Sequence, residues 1–310
     1  MIVYFNPTAK AVGSFFACIA YDSVGVMQMK CAWTSVISVL PIWMRSIVNE
    51  AYKDSLLEIR LRVNRCPELV LKNKSVFLDR EIISDDLKYC INASSKYSPW
   101  SAWTSKYGYL TINGGHRLGI CGQALNKEGD TVAITDVTSV CIRIARDFYG
   151  LIRSKELLHG SILIIGKPGS GKTTILRDLV RFRSSYGQGA ITVVDEKQEI
   201  FPVENGMLCF PPGERTDIIS CCSKNSGIES LLRNMSPTTI AVDEITSEED
   251  CIALCKAGYC GVDLIATAHA GSKEEFYKRS VYKTIIESNI FRHIIILQND
   301  KTWTVERIYQ

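Results

Sequence analysis

The sequence predicts an α/β protein in which a parallel-sheet domain follows a smaller α+β domain. From about Leu151 onward, short apolar runs alternate with amphipathic segments, as in a parallel sheet covered by helices on both faces. Before Gly150 the apolar runs are shorter and are separated by turns, which is typical of hairpins. We therefore expect an irregular leader over 1–37, an N-terminal α+β domain over 38–147 and a C-terminal domain over 151–310.

Hairpin signals define the N-terminal domain. The run that begins at Leu57 alternates apolar and polar residues, which predicts a strand with one buried face. The turn Asn113-Gly114-Gly115, between two apolar runs, is the strongest hairpin signal in the chain. The expected strands are 57–63, 69–71, 76–78, 109–112, 118–121 and 140–145, and the expected linker is 147–150.

The C-terminal domain shows longer apolar runs and helical periodicity. Its expected strands are 161–165, 191–194, 239–242, 264–267 and 294–297, and its expected helices are 172–183, 227–235 and 248–258. The last of these helices should begin with a capping box, because Ser247 stands three residues before Asp250. Strands alternating with helices in this way predict a parallel sheet at the core of the domain.

Composition argues against several classes of protein. The net charge is only +3, from 36 Lys and Arg against 33 Asp and Glu, which lacks the basic excess of a dedicated nucleic-acid binder. The 12 cysteines are scattered without a CxxC pair, so we expect reduced thiols in a cytoplasmic protein rather than disulfides or a zinc site. No apolar run reaches the roughly 18 residues that predict a membrane span.

The segment 166–173 fits the phosphate-binding pattern GxxxxGK[ST] at every fixed position. It follows an apolar run and opens a predicted helix, which is the context that this motif requires. The expected ATP-binding residues are Gly166, Lys167, Pro168, Gly169, Ser170, Gly171, Lys172, Thr173 and Thr174. Glycines let the loop wrap round the phosphates, while Lys172 reaches the β- and γ-phosphates and the Thr173 hydroxyl binds Mg²⁺.

Two acidic pairs follow predicted strands. Asp243 is expected to hold Mg²⁺ together with Thr173, and Glu244 is placed to act as the general base toward the attacking water. A second pair, Asp195 and Glu196, ends the strand 191–194 and would face the same crevice. Spacing alone leaves open which pair carries the chemistry. Two carboxylate clusters near one γ-phosphate are typical of RecA-like and secretion-type ATPases.

A histidine and several arginines complete the candidate site. His269 follows the strand 264–267, where a γ-phosphate sensor would lie, although a histidine at the rim with satisfied hydrogen bonds is the plainer alternative. Ring-forming ATPases often take an arginine from a neighbouring subunit. The candidates are Arg215, Arg233 and either Arg143 or Arg146. We expect Arg215 to be the catalytic arginine.

These segments together resemble the stage III sporulation protein AA family, which is related to type II and type IV secretion and pilus-motor ATPases. The matching motifs are EIRLR at 58–62, GGHRLGICG at 114–122, GKPGSGKTT at 166–174, VDEKQEI at 194–200, GERTD at 213–217, RNMSP at 233–237, VDEI at 242–245 and ATAH at 266–269. Lys197 stands where the family more often has Arg, and Ala270 replaces a frequent Gly. The resemblance begins near Leu40 and runs to the C-terminus.

The resemblance implies a Mg-dependent ATPase with a RecA-like fold that serves the channel between mother cell and forespore during endospore formation. Asp195 and Glu196 would correspond to the acidic box of secretion ATPases, and His269 to their histidine box. A hexameric homo-oligomer is the implied assembly. The implied location is the cytoplasm, at a membrane reached through membrane-embedded channel proteins.

Other functions remain open from the sequence. A RecA-type nucleic-acid motor would need a basic stripe, and none is evident. A nucleotide-dependent switch or scaffold with incidental hydrolysis would need no complete carboxylate set. A small-molecule kinase would share the phosphate-binding motif but usually carries a lid of several arginines, which is not evident after Asp243.

Overall fold

A computed structural model describes residues 28–95, 108–127, 130–204 and 206–308. These residues fall into two compact units. The N-terminal unit consists of Lys30–Asp147 and the separate segment Pro202–Phe210, and the C-terminal unit centres on Phe148–Phe201 and Pro211–Gln310. The N-terminal unit therefore takes in residues 30–37, which the sequence analysis assigned to an irregular leader, and a segment that it assigned to the C-terminal domain. Residues 1–27 of that leader lie outside the described residues.

The elements of the described residues are as follows in chain order. The strands are β1 (Gln28–Lys30), β2 (Leu56–Arg62), β3 (Glu68–Leu71), β4 (Ser75–Phe77), β5 (Tyr109–Ile112), β6 (His116–Lys127), β7 (Asp130–Arg143), β8 (Asp147–Tyr149), β9 (Ile162–Gly166), β10 (Ile191–Asp195), β11 (Val203–Glu204), β12 (Met207–Leu208), β13 (Thr216–Ser220), β14 (Thr239–Ile245), β15 (Asp263–His269), β16 (His293–Leu297) and β17 (Trp303–Arg307). The α-helices are α1 (Trp33–Val39), α2 (Ile42–Arg45), α3 (Ser84–Ser95), α4 (Lys172–Tyr186), α5 (Lys224–Asn234), α6 (Glu248–Tyr259), α7 (Lys273–Lys278) and α8 (Lys283–Ser288).

The N-terminal unit is built on an antiparallel sheet with strand order β4-β3-β2-β7-β6-β5. The predicted hairpins are present as the β3–β4 and β5–β6 pairs. The β6–β7 hairpin is much longer than the sequence predicted. Its outer part is exposed at residues 121–126, so it lacks the apolar alternation on which the prediction depended.

Strand β2 shows a shift of the predicted buried face. The alternation predicted that Leu57, Ile59 and Leu61 share one face, but the buried residues are Leu56, Ile59 and Leu61. The pairing with β3 is irregular between Leu56 and Glu58, which is the position of a β-bulge. A bulge adds one residue to the strand, so the side chains before it point to the opposite face of the sheet from the one that strict alternation predicts.

The turn between β5 and β6 explains the first glycine and the histidine of the GGHR motif. Gly114 has φ +85°, and a Cβ there would lie 2.2 Å from the Cβ of Ala32, so a larger residue does not fit. The buried His116 accepts a hydrogen bond at Nδ1 from the Ala145 N–H at 2.9 Å and donates from Nε2 to the Ala32 carbonyl at 3.0 Å. Burial lowers the pKa of His116 to about 4. The motif therefore organises the core of this unit.

The C-terminal unit is built on a mixed sheet with strand order β13-β10-β14-β15-β9-β16-β17. All neighbouring pairs are parallel except β16–β17, which confirms the predicted parallel core. The five predicted strands correspond to β9, β10, β14, β15 and β16, and the three predicted helices to α4, α5 and α6. The capping box of Ser247 and Asp250 is present at the start of α6.

Helices cover both faces of this sheet. One face carries a core that β9, β14, β15 and β16 share with α5, α6, α7 and α8. On the other face α4 contacts β9, β10, β14 and β15. Every residue of β9 and of β10 is buried, as the sequence pattern of a covered parallel sheet requires. Within the described ranges, no helix has the length and apolar character needed to cross a membrane.

The two edge strands of the sheet were not predicted. Strand β13 pairs on one side only, with β10, and is half-buried, while β17 lies at the other edge. Edge strands are more polar than central strands, so their sequences give a weaker apolar signal. Of the two edges, the β16–β17 hairpin lies next to the phosphate-binding loop, whereas β13 follows Arg215.

Candidate active site

The phosphate-binding loop connects the end of β9 to the start of α4. Gly169 and Gly171 have φ of +71° and +107°, which glycine adopts without strain. A Cβ at Gly166 would lie 2.4 Å from the Ser170 Oγ, so this first glycine is also required by space. The Ser170 hydroxyl is buried and, among the described residues, has no hydrogen-bond partner. A buried unpaired hydroxyl inside such a loop fits a ligand that accepts hydrogen bonds.

Lys172 extends back along the loop that precedes it. Its Nζ donates to the carbonyl oxygens of Gly166 at 2.9 Å and Lys167 at 3.1 Å. Burial is the main reason why the pKa of Lys172 is lowered, and the carboxylates of Asp243 and Glu244 partly offset this effect. The ammonium group is thus held at the mouth of the loop, where it can contact phosphate.

The parallel register brings the other predicted residues to the same edge of the sheet. His269 is paired with Gly166 across β15 and β9, so it lies beside the first glycine of the loop. Strand β14 is regular up to Val242 and then has a bulge before Ile245. Glu244 takes φ +52° there, which is uncommon for a residue other than glycine. A bulge re-aims side chains, so Asp243 and Glu244 can both serve one site.

Asp243 links the loop to the middle of the sheet. Its Oδ2 accepts a hydrogen bond at 2.6 Å from the Thr173 hydroxyl, and its Oδ1 accepts one from the Thr267 hydroxyl. Thr267 in turn accepts from the Glu244 N–H at 2.7 Å, which fixes the backbone at the bulge. The two residues predicted to share a metal ion are therefore in direct contact.

A chain of hydrogen bonds runs from Lys172 through His269 to Glu244. The Lys172 Nζ lies 3.0 Å from His269 Nδ1, and His269 Nε2 lies 2.9 Å from Glu244 Oε1. A lysine ammonium can only donate, so Nδ1 is the acceptor and the ring proton lies on Nε2. His269 is therefore a bridge between the loop and the predicted base.

Glu244 is oriented from both sides. Its second oxygen accepts a hydrogen bond from Lys197 at 3.1 Å. Burial acts to raise its pKa, but the hydrogen bonds and charges of Lys197 and His269 outweigh burial, so the pKa lies below the usual value. Each carboxylate oxygen keeps a second lone pair. Glu244 can thus accept a proton from water while both neighbours hold its orientation.

The Asp195 carboxylate is used to build a turn. It is buried and accepts backbone hydrogen bonds from Glu199 at 2.8 Å, Ile200 at 3.0 Å and Phe201 at 2.8 Å. Burial raises the pKa of Asp195 to about 6 despite these bonds. Arg177 of α4 holds the same turn by donating from Nε to the Ile200 carbonyl at 2.5 Å. The catalytic role predicted for Asp195 stays a prediction, and this geometry favours Glu244 over it.

Glu196 pairs with a lysine that the sequence analysis did not single out. The Nζ of the buried Lys224, at the start of α5, lies 2.6 Å from Glu196 and 3.6 Å from Asp250 at the start of α6. Lys224 therefore joins the turn after β10 to both helices. Glu196 and Lys224, together with Glu199, Asp243 and Glu244, line a small cleft at this end of the sheet.

Within one chain, Arg215 lies away from the candidate site. It precedes β13, whose first residue Thr216 is paired with Ile191 at the start of β10. Arg215 therefore lies at the amino ends of these strands, whereas the phosphate-binding loop follows the carboxyl end of β9. Its Nε donates to the Ser184 carbonyl at 2.8 Å, in α4. Ser184 is about 18 Å along the helix from Lys172. A role of Arg215 in a neighbouring subunit's site stays a prediction.

The other arginine candidates differ in their availability. Arg146 is buried and donates to the carbonyls of Lys53 at 2.5 Å and Leu56 at 2.7 Å, so its guanidinium holds the N-terminal unit together. The side chains of Arg143 and Arg233 are 64% and 78% exposed, although each lies near a glutamate. Of these three, only Arg146 is buried.

Sequence reasoning missed three residues that position the predicted ones. These are Thr267, Lys197 and Lys224. Thr267 carried a usable signal, because it is a polar residue at the end of an otherwise apolar strand. Lys197 was noted only as a departure from the family's Arg, and Lys224 carried no signal, because the roles of both depend on which acidic partners the fold brings near them.

The donor set fits Mg·ATP. Magnesium keeps several waters and takes one or two protein oxygens together with phosphate oxygens. Thr173 and Asp243, with oxygens 2.6 Å apart at the end of the loop, provide such a pair. In the part of the chain that the structure describes, no group of three or more His, Cys, Asp or Glu residues is arranged to hold a metal by itself. A metal at Thr173 would therefore be held jointly with phosphate.

Comparison with known sequences identifies the family. The family described as Sporulation stage III, protein AA matches residues 33–310. The chain is 35% identical over 288 residues to Stage III sporulation protein AA of Bacillus subtilis, covering 88% of this chain and 94% of that protein. The chain therefore belongs to the stage III sporulation protein AA family.

Solved structures show the same fold at low sequence identity. The Legionella pneumophila ATPase DotB aligns with a TM-score of 0.56 and 16% identity, covering 86% of this chain and 80% of that one. The pilus retraction motor PilT, solved with bound ADP, aligns with a TM-score of 0.56 and 18% identity, covering 83% and 78% of the two chains. The fold is thus the RecA-like α/β fold of secretion and pilus ATPases, as the sequence predicted.

Proposed function

We propose that this member of the stage III sporulation protein AA family is a Mg-dependent ATPase that converts ATP to ADP and phosphate. The observation that carries the proposal is the direct hydrogen bond between Thr173 of the phosphate-binding loop and Asp243 at the end of β14. It joins the two parts of the sequence that a P-loop enzyme needs at one metal ion. The Lys172–His269–Glu244 chain beside it supplies a base.

Each residue of the site has a proposed task. Backbone N–H groups of the loop 166–174, in which Pro168 has none, and the Lys172 ammonium bind the phosphates, and Thr173 and Asp243 hold Mg²⁺. Bound there, Mg²⁺ neutralises charge on the β- and γ-phosphates. Glu244 accepts the proton of the attacking water. His269 acts as the γ-phosphate sensor and is hydrogen-bonded to Glu244. Asp195 and Glu196 shape the opposite wall of the site.

We further propose a homo-oligomeric ring, with a hexamer as the expected size. The position of Arg215 supports a ring. It lies at the amino ends of the strands, away from the loop of its own chain, and could complete the site of a neighbouring subunit. Within the family, hydrolysis would then energise assembly of, or transport through, a channel between mother cell and forespore. The partners would be membrane-embedded channel proteins, contacted from the cytoplasm.

Steady-state ATP hydrolysis by the purified chain, at several protein concentrations, tests this function. We expect turnover per subunit to rise steeply with concentration, because a site completed in trans requires assembly, and to vanish in Lys172→Ala. Arg215→Ala should bind ATP normally but lose turnover at all concentrations. ATP binding without turnover at any concentration would favour a switch or scaffold over an ATPase.

A further inference from the structure

A lysine from the last hairpin of the sheet reaches the phosphate-binding loop. Lys301 lies in the turn between β16 and β17, and its Nζ donates a hydrogen bond to the carbonyl oxygen of Gly169. The parallel register explains the contact: Leu297, at the end of β16, is paired with Gly166 at the end of β9. The turn after one strand therefore lies next to the loop after the other.

The turn holds Lys301 in one conformation. The Gln298 N–H donates to the Thr302 carbonyl at 2.9 Å, and the Lys301 N–H donates to the Gln298 carbonyl at 3.1 Å. Asp300 accepts a hydrogen bond from the Thr302 N–H at 3.0 Å. Lys301 itself has φ +69°, a conformation that glycine or asparagine adopts more easily. The presence of a lysine despite this conformation indicates that its ammonium group has a role at the loop.

The contact falls on an open part of the loop. Gly169 has φ +71°, and a Cβ built there would meet nothing within 4 Å. The next peptide bond is trans, so its carbonyl and its N–H point in opposite directions. Lys301 holds the Gly169 carbonyl on one side, and the Ser170 N–H then points to the other side, where it donates to the Lys167 carbonyl at 3.1 Å.

Lys301 also adds positive charge to the loop. Its side chain is half-buried, and burial lowers its pKa. Both ammonium groups donate to carbonyls of the same loop, and the charge of Lys301 adds to the lowering of the Lys172 pKa, after the larger effect of burial. A bound polyphosphate would relieve their mutual repulsion.

We propose that Lys301 is a positioning residue of the nucleotide site: it holds the Gly169–Ser170 peptide of the phosphate-binding loop and so slows the release of a bound nucleoside di- or triphosphate. The proposal rests on the proposed function only in that the chain binds such a nucleotide. It predicts a change in dissociation rate without a comparable change in the stability of the fold.

The test compares Lys301→Met and Lys301→Arg with Asn299→Ala, an exposed neighbour in the same turn. Release of a fluorescent ADP from the full-length chain is followed by stopped flow in the presence of Mg²⁺. Loss of a charged hydrogen bond to the loop should speed release about tenfold in Lys301→Met. Lys301→Arg, which keeps charge and donor, should stay within about threefold of the wild type, and Asn299→Ala should not differ from it.

A second readout keeps the two proposals separate. Hydrogen exchange of the amides at 170–173 is measured without nucleotide, and it should be faster in Lys301→Met than in the wild type or Asn299→Ala. If the wild type binds no ADP, the proposed function fails. The exchange comparison still tests whether Lys301 holds the Gly169–Ser170 peptide. Equal release rates, equal exchange, or an Asn299→Ala variant that behaves like Lys301→Met would each overturn the role of Lys301.

Discussion

The ends of β10 and β14 carry the same sequence signal and use it differently. Each is a largely buried strand with Asp-Glu at or near its carboxyl end, and the two strands are neighbours in the sheet. At the end of β10, Asp195 is turned inward onto three backbone N–H groups. At the end of β14, a bulge turns Asp243 and Glu244 toward Thr173 and His269. The backbone after the strand, rather than the acidic pair itself, decides which partners the carboxylates contact.

The largest expected effect separates the two glutamates. Glu244→Gln should lower the rate of ATP hydrolysis about a hundredfold or more, because the amide cannot accept the proton of water. Glu196→Gln should lower it less than about fivefold, since Lys224 can still bond to the amide oxygen. Steady-state hydrolysis, with ATP affinity measured alongside, compares the two variants. Equal losses in both would mean that the two strand ends share the chemistry.

A smaller effect should separate the two aspartates by stability. Asp195→Ala leaves three backbone N–H groups without their acceptor, which should lower the free energy of unfolding by about 2–4 kcal/mol. Asp243→Ala should cost less than about 1 kcal/mol, because the hydroxyls of Thr173 and Thr267 can rotate to other acceptors. Urea unfolding followed by circular dichroism measures both variants. An Asp195→Ala variant as stable as wild type would remove the structural role assigned to this residue.

The smallest effect is a pH dependence of stability that comes from Asp195. Its pKa is raised from 3.8 to about 6 in the folded chain, so the folded state favours the protonated form. The stabilisation that this protonated carboxyl adds to the free energy of unfolding is therefore complete below about pH 4 and is lost as pH rises through about 6. It amounts to roughly 2–3 kcal/mol at most. Asp195→Asn cannot titrate, so the difference in unfolding midpoint between this variant and wild type should change with pH over this range. A difference that is constant between pH 4 and pH 7 would contradict the assignment.

The sequence predicted the C-terminal fold well because a covered parallel sheet leaves a strong pattern. Strands β9 and β10 are buried along their whole length, and their apolar runs are continuous. The edge strands β13 and β17 and the exposed part of β6 and β7 lack that pattern and were missed or cut short. The shift at Leu57 was unpredictable, because a bulge leaves no sign in the alternation of apolar residues.

The same contrast holds for the candidate site. The positions of the loop 166–174, Asp243, Glu244 and His269 near one another could be predicted, because each stands at or next to a strand end within a recognisable motif, while their roles stay predictions. The tie between Asp195 and the N–H of Phe201, and the contact of Lys301 with Gly169, could not. Both depend on the path of the chain after a strand, which neither residue spacing nor local composition determines.

The discontinuous N-terminal unit has a consequence for synthesis of the chain. The rings of Pro202 and Phe210 lie against the turn at Gly115, where a Cβ would be 3.1 Å and 2.8 Å from them. A nascent chain grows from its N-terminus, and its domains fold as they leave the ribosome. When Asp147 emerges, these two rings have not yet been made. The N-terminal unit therefore completes its packing only after β9, α4 and β10 have been translated, so the two halves of the protein cannot mature strictly one after the other.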